Sequence, residues 1–447
     1  MNILVINGSP KGNNSITLQT VLYLEKLHPE HSFEILNAGQ RINGLRKDFS
    51  SVLPMIEKAD LFLFSYPVYT FMAPSQLHEF IHLLKKQRID LSKKFATQIT
   101  TSKHFYDITA HRYIQDNCND LKLKFIKGLS ADMEDLPLKK GQKEAKEFFD
   151  YVLWCMNHNY HEPVYESVPD TKPVLSTTIT PQPIKSDKEI VIVTDYEDND
   201  SLKAMIEHFQ NKLEVKSRII NLNQIRIDGG CLGCFGCAAD GKCIYKDKFD
   251  VLLKDEIQTK SAIVYAFTIT DHSMGPLFKR YDDRQFCNGH RTVTMGTSVG
   301  YLISGNLSKE ENLRTILEAR ANVGGNFLAG IATDETNPDA QIDELASKLT
   351  YALEHNYVQP SNFYGVGGMK IFRDLIYQMQ GMMKADHKFF KSHGQYDFPQ
   401  NNKGKMLMMY LVGFMMTNKT LKSKMGNKMN EGMLMPYKKV LDELDKN

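Results

Sequence analysis

The sequence predicts an α/β protein made of two tandem doubly wound parallel-sheet domains, followed by a helical, methionine-rich C-terminal extension. Apolar runs at residues 3–6 and 61–64 end abruptly in polar loops that lead into amphipathic helical patterns, which is typical of central parallel strands. The same pattern restarts at residues 190–193, after a proline-containing stretch. A chain of 447 residues with 42% hydrophobic content also exceeds what one core holds.

Composition restricts the classes of partner. The formal net charge is only +2, so there is no chain-wide electrostatic case for nucleic acid. The N-terminal apolar run is too short for a signal peptide, and we find no apolar run of membrane-spanning length. We therefore expect a cytoplasmic protein in a reducing environment.

The first polar loop, residues 7–15, predicts a phosphate site. It is rich in Gly, Ser, Asn and Lys and lies between a strand and a helix. A helix N-terminus offers free N–H groups and a positive dipole end, which suit a terminal phosphate. The alternative is a polar turn that only caps the helix.

Two further loops converge on the same sheet edge. The strand at residues 61–64 ends in an aromatic loop with Tyr66 and Tyr69, and the strand at residues 95–100 runs into Thr101, Ser102 and polar residues beyond. In a doubly wound sheet, ligands bind at this edge, so the aromatic loop could hold a flat heterocycle.

In motif and order, the first 155 or so residues resemble the flavodoxin-like NAD(P)H-dependent FMN reductase family. The resemblance implies FMN as cofactor and NAD(P)H as electron donor. It implies phosphate contacts from the first loop, isoalloxazine contacts from the second and weaker contacts from the third, where Lys103 and His104 stand in place of the family's usual glycine. The implied cofactor residues are Gly8, Ser9, Pro10, Lys11, Asn14, Ser15, Thr17, Pro67, Val68, Tyr69, Thr70, Thr101 and Ser102. As proton donors to a substrate, we name Tyr69, His104 and His272.

A compact C-x2-C-x2-C-x5-C motif predicts a [4Fe–4S] cluster. Its thiols are Cys231, Cys234, Cys237 and Cys243, and interspersed glycines let the short loop curl around one point. The alternatives are structural zinc, a redox dithiol and vestigial thiols. The three remaining cysteines, Cys118, Cys155 and Cys287, are expected to be ordinary buried residues.

The second half resembles the iron–sulfur flavoprotein branch of the same superfamily. As in that branch, the cysteine motif follows the second strand, and a strand-three loop leads into a helix ending in Asp283 and Arg284. The loop at residues 194–200 carries four carboxylates, which would repel a phosphate. We therefore expect FMN only in the first domain and the cluster only in the second, about one of each per chain.

The predicted domains are residues 1–156, which bind FMN; a linker, 157–187; the cluster domain, 188–357; and the extension, 358–447. Three interpretations of the extension are helical packing on the domains, a lid over an apolar substrate, and membrane attachment through its lysines. Gly365, Gly367 and Gly368 predict a turn near the flavin.

The predicted function is an FMN-dependent oxidoreductase. Electrons would move between NAD(P)H or reduced ferredoxin, the cluster and an acceptor such as a quinone, nitro compound, flavin or alkene. One alternative is an electron-transfer flavoprotein that serves a partner reductase and has no small-molecule substrate of its own. Another is a structural zinc protein. The family resemblance favours a homodimer or larger oligomer.

Overall fold

The computed structural model describes residues 1–102, 106–133, 135–159, 161–162, 186–197, 201–358 and 363–417. Most of the predicted linker and the end of the acidic loop, residues 198–200, lie outside the described residues. Contact clustering divides the chain into two units, Met1–Phe389 and Phe390–Asn447.

The first sheet is parallel and has the strand order β2-β1-β3-β4-β5, with β6 paired to β4. Successive side chains point to opposite faces of a strand, so Leu4 and Ile6 pack in one apolar cluster and Ile3 and Val5 in another. Burial on both faces explains the continuous apolar runs in the sequence. The strands are β1 (Asn2–Asn7), β2 (Ser32–Leu36), β3 (Leu61–Pro67), β4 (Phe95–Ser102), β5 (Lys124–Phe125) and β6 (Leu129–Asp132).

Helices cover both faces of this sheet. They are α1 (Ile16–Leu27), α2 (Ala38–Lys47), α3 (Leu53–Lys58), α4 (Ser75–Lys86), α5 (Ile108–Asp120) and α6 (Lys139–His158).

The second sheet repeats the topology. Its five strands are parallel, in the order β8-β7-β9-β10-β11. Numbered within its own domain, this is the 2-1-3-4-5 order of the first sheet and of flavodoxin-like folds. The prediction of two tandem flavodoxin-like domains is confirmed. The strands are β7 (Ser186–Thr194), β8 (Val215–Asn221), β9 (Ala262–Thr268), β10 (Ser298–Ser304) and β11 (Phe327–Thr333).

The helices of the second half include two short ones near the cysteine motif. They are α7 (Ser201–Lys212), α8 (Gly236–Asp240), α9 (Phe249–Leu252), α10 (Gly275–Arg284), α11 (Glu311–Val323) and α12 (Pro338–His355).

The two domains pack through equivalent helices. The helix after the third strand of each sheet, α4 and α10, forms one extensive contact, and the helix after the fourth strand, α5 and α11, forms another. Equivalent elements therefore face each other, as the subunits of a two-fold symmetric dimer do.

The turn after the third strand is also repeated. In the first domain, residues 69–72 close a tight turn with Thr70 and Phe71 at positive φ; in the second, residues 270–273 do the same with Asp271 and His272. Each turn reaches into the other domain. Phe71 is buried in an apolar cluster of the second domain, and the Asp271 carbonyl accepts a hydrogen bond from Asn117 of the first.

A buried carboxylate joins the two domains at the α4–α10 contact. Asp283 Oδ2 accepts the backbone N–H of Ser75 at 2.7 Å, at the first residue of α4. Lys279 Nζ is ion-paired to the same carboxylate, and both side chains are fully buried. Burial raises the pKa of Asp283, an effect that Lys279 opposes. The positive end of the α4 dipole favours an anion at this point.

A second group of charges joins α5 to the second-domain turn. His272 contacts Asp120 at 3.0 Å and Glu310 at 2.8 Å. Burial alone would lower the pKa of His272, but hydrogen bonds to Asp120 and Glu310 outweigh it and raise the pKa to about 10. His82 and Lys85 of α4 pair with the neighbouring Asp271.

The described part of the C-terminal extension, residues 363–417, is helical, as predicted. It contains α13 (Phe363–Gln378), α14 (Lys384–Ser392) and α15 (Lys403–Thr417). Gly365, Gly367 and Gly368 lie inside α13, so the expected turn is wrong; Ile371, Phe372 and other apolar residues of the helix pack against the second domain and override the low helix propensity of glycine. None of the described helices combines the length and apolar character needed to cross a bilayer.

We predict that Asp283→Ala lowers the free energy of unfolding by about 3–5 kcal/mol, because it leaves the Lys279 ammonium buried without its closest partner. Urea unfolding followed by circular dichroism measures the change. The matched control is Glu144→Ala on α6, which removes an exposed pair with Lys140 and should change the value by less than about 0.5 kcal/mol. Replacing Lys279 and Asp283 together by Met and Leu should recover much of the loss. A loss below about 1 kcal/mol for Asp283→Ala would contradict the assignment.

The raised pKa of His272 predicts a pH-dependent stability. A group whose pKa is higher in the folded state contributes its full stabilisation below its unfolded pKa, near 6.5, and loses it as pH rises through the folded value of about 10. His272→Gln should therefore be most destabilising at pH 6, less so at pH 8 and least above pH 10. His355→Gln, at the exposed end of α12, is the control. A pH-independent effect of His272→Gln would show that the imidazolium contributes nothing to the interface.

Candidate cofactor site

One cavity of about 250 Å³ lies between the two domains, and we call it the cofactor cavity. Its first-domain wall is built from the loops after β1, β3 and β4. Its second-domain wall contains all four cysteines of the motif. From the first domain it includes Ser9, Lys11, Ser15, Thr17, Pro67, Val68, Tyr69, Thr70, Thr101 and Ser102; from the second, Cys231, Cys234, Cys237, Cys243, Arg284, Phe286, Cys287 and His290.

Hydrogen bonds within the loop after β1 fix its conformation. Asn7, at the end of β1, donates its side-chain amide to Gly12 O at 2.9 Å and accepts the Ser9 N–H at 3.1 Å. Gly12 has φ of +53°, a left-handed conformation that suits glycine. Ser15 then caps α1 by accepting the Leu18 N–H. The loop therefore presents the N-terminus of α1 to the cavity.

Two hydroxyls link the first loop to the third. Thr17 and Thr101 are in contact through their oxygens at 2.6 Å, and both are buried in the cavity wall. The neighbouring Ser102 Oγ is buried and has no hydrogen-bond partner among the described residues. An unpaired buried hydroxyl in a cavity wall is a rare feature that a bound polar ligand would explain.

Three of the predicted FMN residues do not line the cavity. Gly8, Pro10 and Asn14 are absent from its wall. Gly8 is instead tightly packed: an added Cβ would lie 2.8 Å from Leu77 Cδ2, so the glycine lets α4 approach β1 closely. Pro10 lies at a separate shallow cleft, and Asn14 is exposed.

The second loop contacts the cysteine motif directly. Tyr69 N–H donates to Met72 O at 2.7 Å, which closes the turn, and the Tyr69 ring packs edge-on against Phe286. An added Cβ on Gly233 would lie 2.8 Å from the Tyr69 hydroxyl, so only glycine fits there. Burial raises the pKa of Tyr69 well above its usual value, so its phenol stays protonated.

Further contacts hold the cysteine loop against the first domain. Lys11 Nζ lies 5.7 Å from the centre of the Phe235 ring. An added Cβ on Gly230 would lie 1.9 Å from Ser75 Oγ, and the Gln76 amide donates to Cys231 O at 3.4 Å. The glycines of the motif therefore serve inter-domain packing as well as the curl of the loop.

The four motif cysteines share the cavity wall but differ in environment. Cys234 is exposed, and the other three are partly buried. Burial raises the pKa of Cys231 to about 12, and that of Cys237 is raised as well. Cys231 Sγ accepts the Gly233 N–H at 3.4 Å, and Cys237 Sγ donates to Phe286 O at 2.9 Å. Among the described residues, no group of three or more His, Cys, Asp or Glu side chains is gathered as around a single metal ion.

Arg284 and Asp247 fix the base of the motif. Arg284 makes two hydrogen bonds to Asp247, at 2.7 and 2.9 Å, and one to Gly229 O at 3.2 Å. Its guanidinium also stacks over the Tyr245 ring at 4.1 Å. The last two residues of α10 thus contact different elements. Asp283 bonds to the start of α4, and Arg284 bonds to the start of the cysteine loop.

The equivalent edge of the second domain is filled by the protein itself. Asp334, directly after β11, accepts hydrogen bonds from Ser201 at the start of α7 (2.9 Å), from Ser304 (2.6 Å) and from the Gly305 N–H (2.8 Å). A carboxylate therefore bridges the α7 N-terminus and the end of β10, the counterparts of the α1 N-terminus and Ser102. The sequence prediction relied on the carboxylates of residues 194–200 and missed Asp334.

The candidate proton donors lie in different places. Tyr69 lines the cofactor cavity. His272 lies in the ion-pair group between α5 and the second-domain turn and is not part of the cavity wall. His104 lies outside the described residues.

Several wall residues were missed from the sequence. Cys287 is buried in an apolar cluster, as expected, but it also lines the cavity beside the motif cysteines, which the sequence did not indicate. Phe286 and His290 come from the segment after α10, and Ile371, Phe372 and Leu375 from α13. Near Cys287, Phe286 and His290, the sequence offered only the Asp-Arg ending of α10 as a sign of a functional segment. Nothing in the sequence of α13 indicated a place in the cavity wall.

Parts of the chain are similar to known proteins. Residues 1–113 match the family model described as NADPH-dependent FMN reductase. An iron–sulfur flavoprotein from Archaeoglobus fulgidus is 25% identical over 205 residues, covering 43% of this chain and 90% of that protein.

Solved structures are similar to about a third of the chain. An FMN-dependent NADH-azoreductase from Bacillus anthracis, in complex with FMN, is 15% identical and covers 34% of this chain and 99% of its own, with a TM-score of 0.29. The Trp repressor binding protein from Bacillus subtilis is 18% identical, with 33% and 96% coverage and a TM-score of 0.26. The strand order, rather than these scores, establishes the fold. Residues 1–113 are thus similar to the NADPH-dependent FMN reductase family, and 43% of the chain is similar to an iron–sulfur flavoprotein.

Proposed function

We propose that this chain is an FMN-dependent oxidoreductase in which one FMN and one [4Fe–4S] cluster occupy the same cavity within a single chain. The observation that carries the proposal is the composition of the cofactor cavity. Loops of the family-matched first domain form one wall, and all four motif cysteines of the second domain form the opposite wall. Because the two domains belong to one chain, the first-domain loops and the second-domain cysteines meet without a second subunit.

The first-domain residues suit FMN. Ser9, Ser15 and Thr17 surround the N-terminus of α1, where N–H groups and the helix dipole favour a phosphate. Lys11 adds a positive charge at the rim. The unpaired Ser102 hydroxyl offers a further donor, and Pro67 to Thr70 provide an apolar and aromatic wall for a flat ring.

The second-domain residues suit an iron–sulfur cluster. In a four-iron cluster each thiolate binds a different iron, so the cysteines surround the cluster instead of meeting at one ion. The high pKa of Cys231 belongs to a buried thiol without metal, and coordination to a metal cation deprotonates a thiol outright. The Gly233 N–H at Cys231 Sγ is the kind of hydrogen bond that tunes cluster potential. Zinc is the alternative that metal analysis would distinguish.

FMN supplies one- and two-electron chemistry when bound, and a [4Fe–4S] cluster supplies single-electron transfer. The protein positions and shields both groups. Tyr69 lies between the two walls, and its protonated phenol can donate a hydrogen bond toward the cavity. Phe286 and Phe372 help to exclude water. NAD(P)H is the proposed electron donor, and a quinone, nitro compound, flavin or activated alkene is the proposed class of acceptor.

The second domain is proposed to hold no FMN. Asp334 bonds to Ser201, Ser304 and the Gly305 N–H, which are the donors that a phosphate would need there. A bound phosphate would have to displace this carboxylate and would meet its charge. One FMN per chain follows.

Anaerobically purified protein should therefore contain about four irons, four sulfides and one FMN per chain. Cys231→Ser should lower the iron content severely and leave FMN close to one per chain, because the phosphate loop belongs to the other domain. Cys118→Ser, in the first-domain core, is the control and should keep both cofactors. Iron, sulfide, zinc and flavin are measured on the same sample.

Protein with FMN but without iron, or with zinc at the motif, would refute the two-cofactor proposal and leave a simpler flavin reductase. Two FMN per chain would contradict the role assigned to Asp334. Flavin bleaching by NAD(P)H tests the enzyme directly; bleaching only by reduced ferredoxin would instead indicate an electron-transfer protein that serves a partner.

A further inference from the structure

We propose that a second cavity, formed mainly by the cluster domain, binds an uncharged single-ring aromatic molecule that carries an acceptor oxygen, such as an aromatic ketone or nitro compound. This cavity has a volume of about 170 Å³. It lies against β9 and β10 and is lined by residues of α10, α11 and the segment 285–294, with Thr70 contributed by the first domain.

The size and wall of the second cavity favour one aromatic ring. An apolar cavity of about 150 Å³ accommodates benzene, so the second cavity, which is partly open to solvent and has some polar walls, has room for one ring. Tyr265 and Tyr301 lie side by side on adjacent strands with ring centroids 5.4 Å apart, and Phe278, Phe286 and Phe372 complete an aromatic lining. Aromatic walls hold flat rings through offset and edge-on contacts.

The polar atoms in this wall indicate an acceptor oxygen on the ligand. Arg320 Nη1 and Thr292 Oγ1 are buried and have no hydrogen-bond partner among the described residues, and both residues line the second cavity. An unsatisfied buried donor is costly, and a guanidinium N–H cannot act as an acceptor. A carbonyl or nitro oxygen would satisfy these groups.

The charges at the second cavity are already balanced. Arg320 Nη2 is paired with Asp282 Oδ1 at 2.6 Å, and Arg291 Nη1 is paired with Asp386 Oδ1 at 2.8 Å. A ligand anion would add a buried negative charge beside Asp282, and both arginines of the cavity wall already pair with carboxylates. The site therefore favours an uncharged molecule over a carboxylate of the same size.

The second cavity shares a wall with the cofactor cavity. Thr70, Phe286, Gly289, His290 and Phe372 line both. Arg291 also donates to Cys237 O at 3.1 Å, which ties the segment that closes the second cavity to the cysteine loop. A bound aromatic would therefore lie one layer of side chains from the cofactors, although its binding does not require them.

Calorimetric titration of the purified full chain with acetophenone tests the proposal. Acetophenone should bind about tenfold or more tightly than isopropylbenzene, which has a similar shape without the oxygen, and more tightly than benzoate. Arg320→Met should weaken acetophenone binding by about tenfold or more. Arg314→Met, an exposed position on the same helix, is the matched control and should bind normally. Thr292→Val should also weaken acetophenone binding. Because it alters no charge, it keeps the test informative if Arg320→Met does not fold.

No binding of acetophenone, equal binding of isopropylbenzene, or binding unaffected by both Arg320→Met and Thr292→Val would overturn the proposal; tighter binding of benzoate would overturn the ligand class. The heat of binding needs no turnover, so the titration is repeated on Cys231→Ser. Acetophenone binding that persists in Cys231→Ser would show that the second cavity does not depend on the cluster.

Discussion

The carboxylate of Asp283 is the contact on which the arrangement of the site depends. It belongs to the second domain, yet it accepts the first N–H of α4 in the first domain, and it is buried with Lys279. Lys279 and Asp283 pair within α10, and the first N–H of α4 adds the inter-domain hydrogen bond that a buried carboxylate needs. Arg284, the next residue, donates to Gly229 O at the start of the cysteine loop. The end of α10 therefore contacts both α4 and the cysteine loop.

The pseudo-symmetric contact explains how two similar domains can take different roles. Both sheets present a helix N-terminus and a strand end at the same edge. In the first domain a buried Ser102 hydroxyl faces this edge without a described partner, whereas in the second domain Asp334 fills the corresponding position. The repeated turns differ in the same way. Tyr69 and Thr70 line the cofactor cavity, while Asp271 and His272 are bound into inter-domain ion pairs. A cavity at the edge of the first sheet thus corresponds to an edge of the second sheet that hydrogen bonds and ion pairs fill.

The sequence was sufficient for the fold because the relevant signals are local. Continuous apolar runs, sharp polar breaks and the restart at residue 190 predicted both parallel sheets, and the ends of β1, β3 and β4 predicted which first-domain loops would converge. Gly365, Gly367 and Gly368 wrongly predicted a turn, because the tertiary packing of α13 outweighs the low helix propensity of glycine.

The inter-domain part of the site could not be predicted from sequence. Asp283 and Ser75 are 208 residues apart, and no local pattern pairs them. Cys287 has no cysteine neighbour in sequence, yet it joins the motif cysteines in the cavity wall once α10 and the cysteine loop are docked. Asp334 was overlooked because its donors lie on two distant segments, Ser201 at the start of α7 and Ser304 with Gly305 at the end of β10. Each of these features depends on packing between distant segments.

The central claim is that both cofactors lie in one chain, between the phosphate loop and the cysteine motif. The most direct measurement is a crystal structure of anaerobically purified protein, with anomalous diffraction collected at the iron edge. We predict that the anomalous difference map shows iron between Cys231, Cys234, Cys237 and Cys243. FMN should lie at residues 9–17 of the same chain, with its ring along Tyr69. Iron peaks absent from the motif, or FMN facing the cysteines of a neighbouring copy instead, would contradict it.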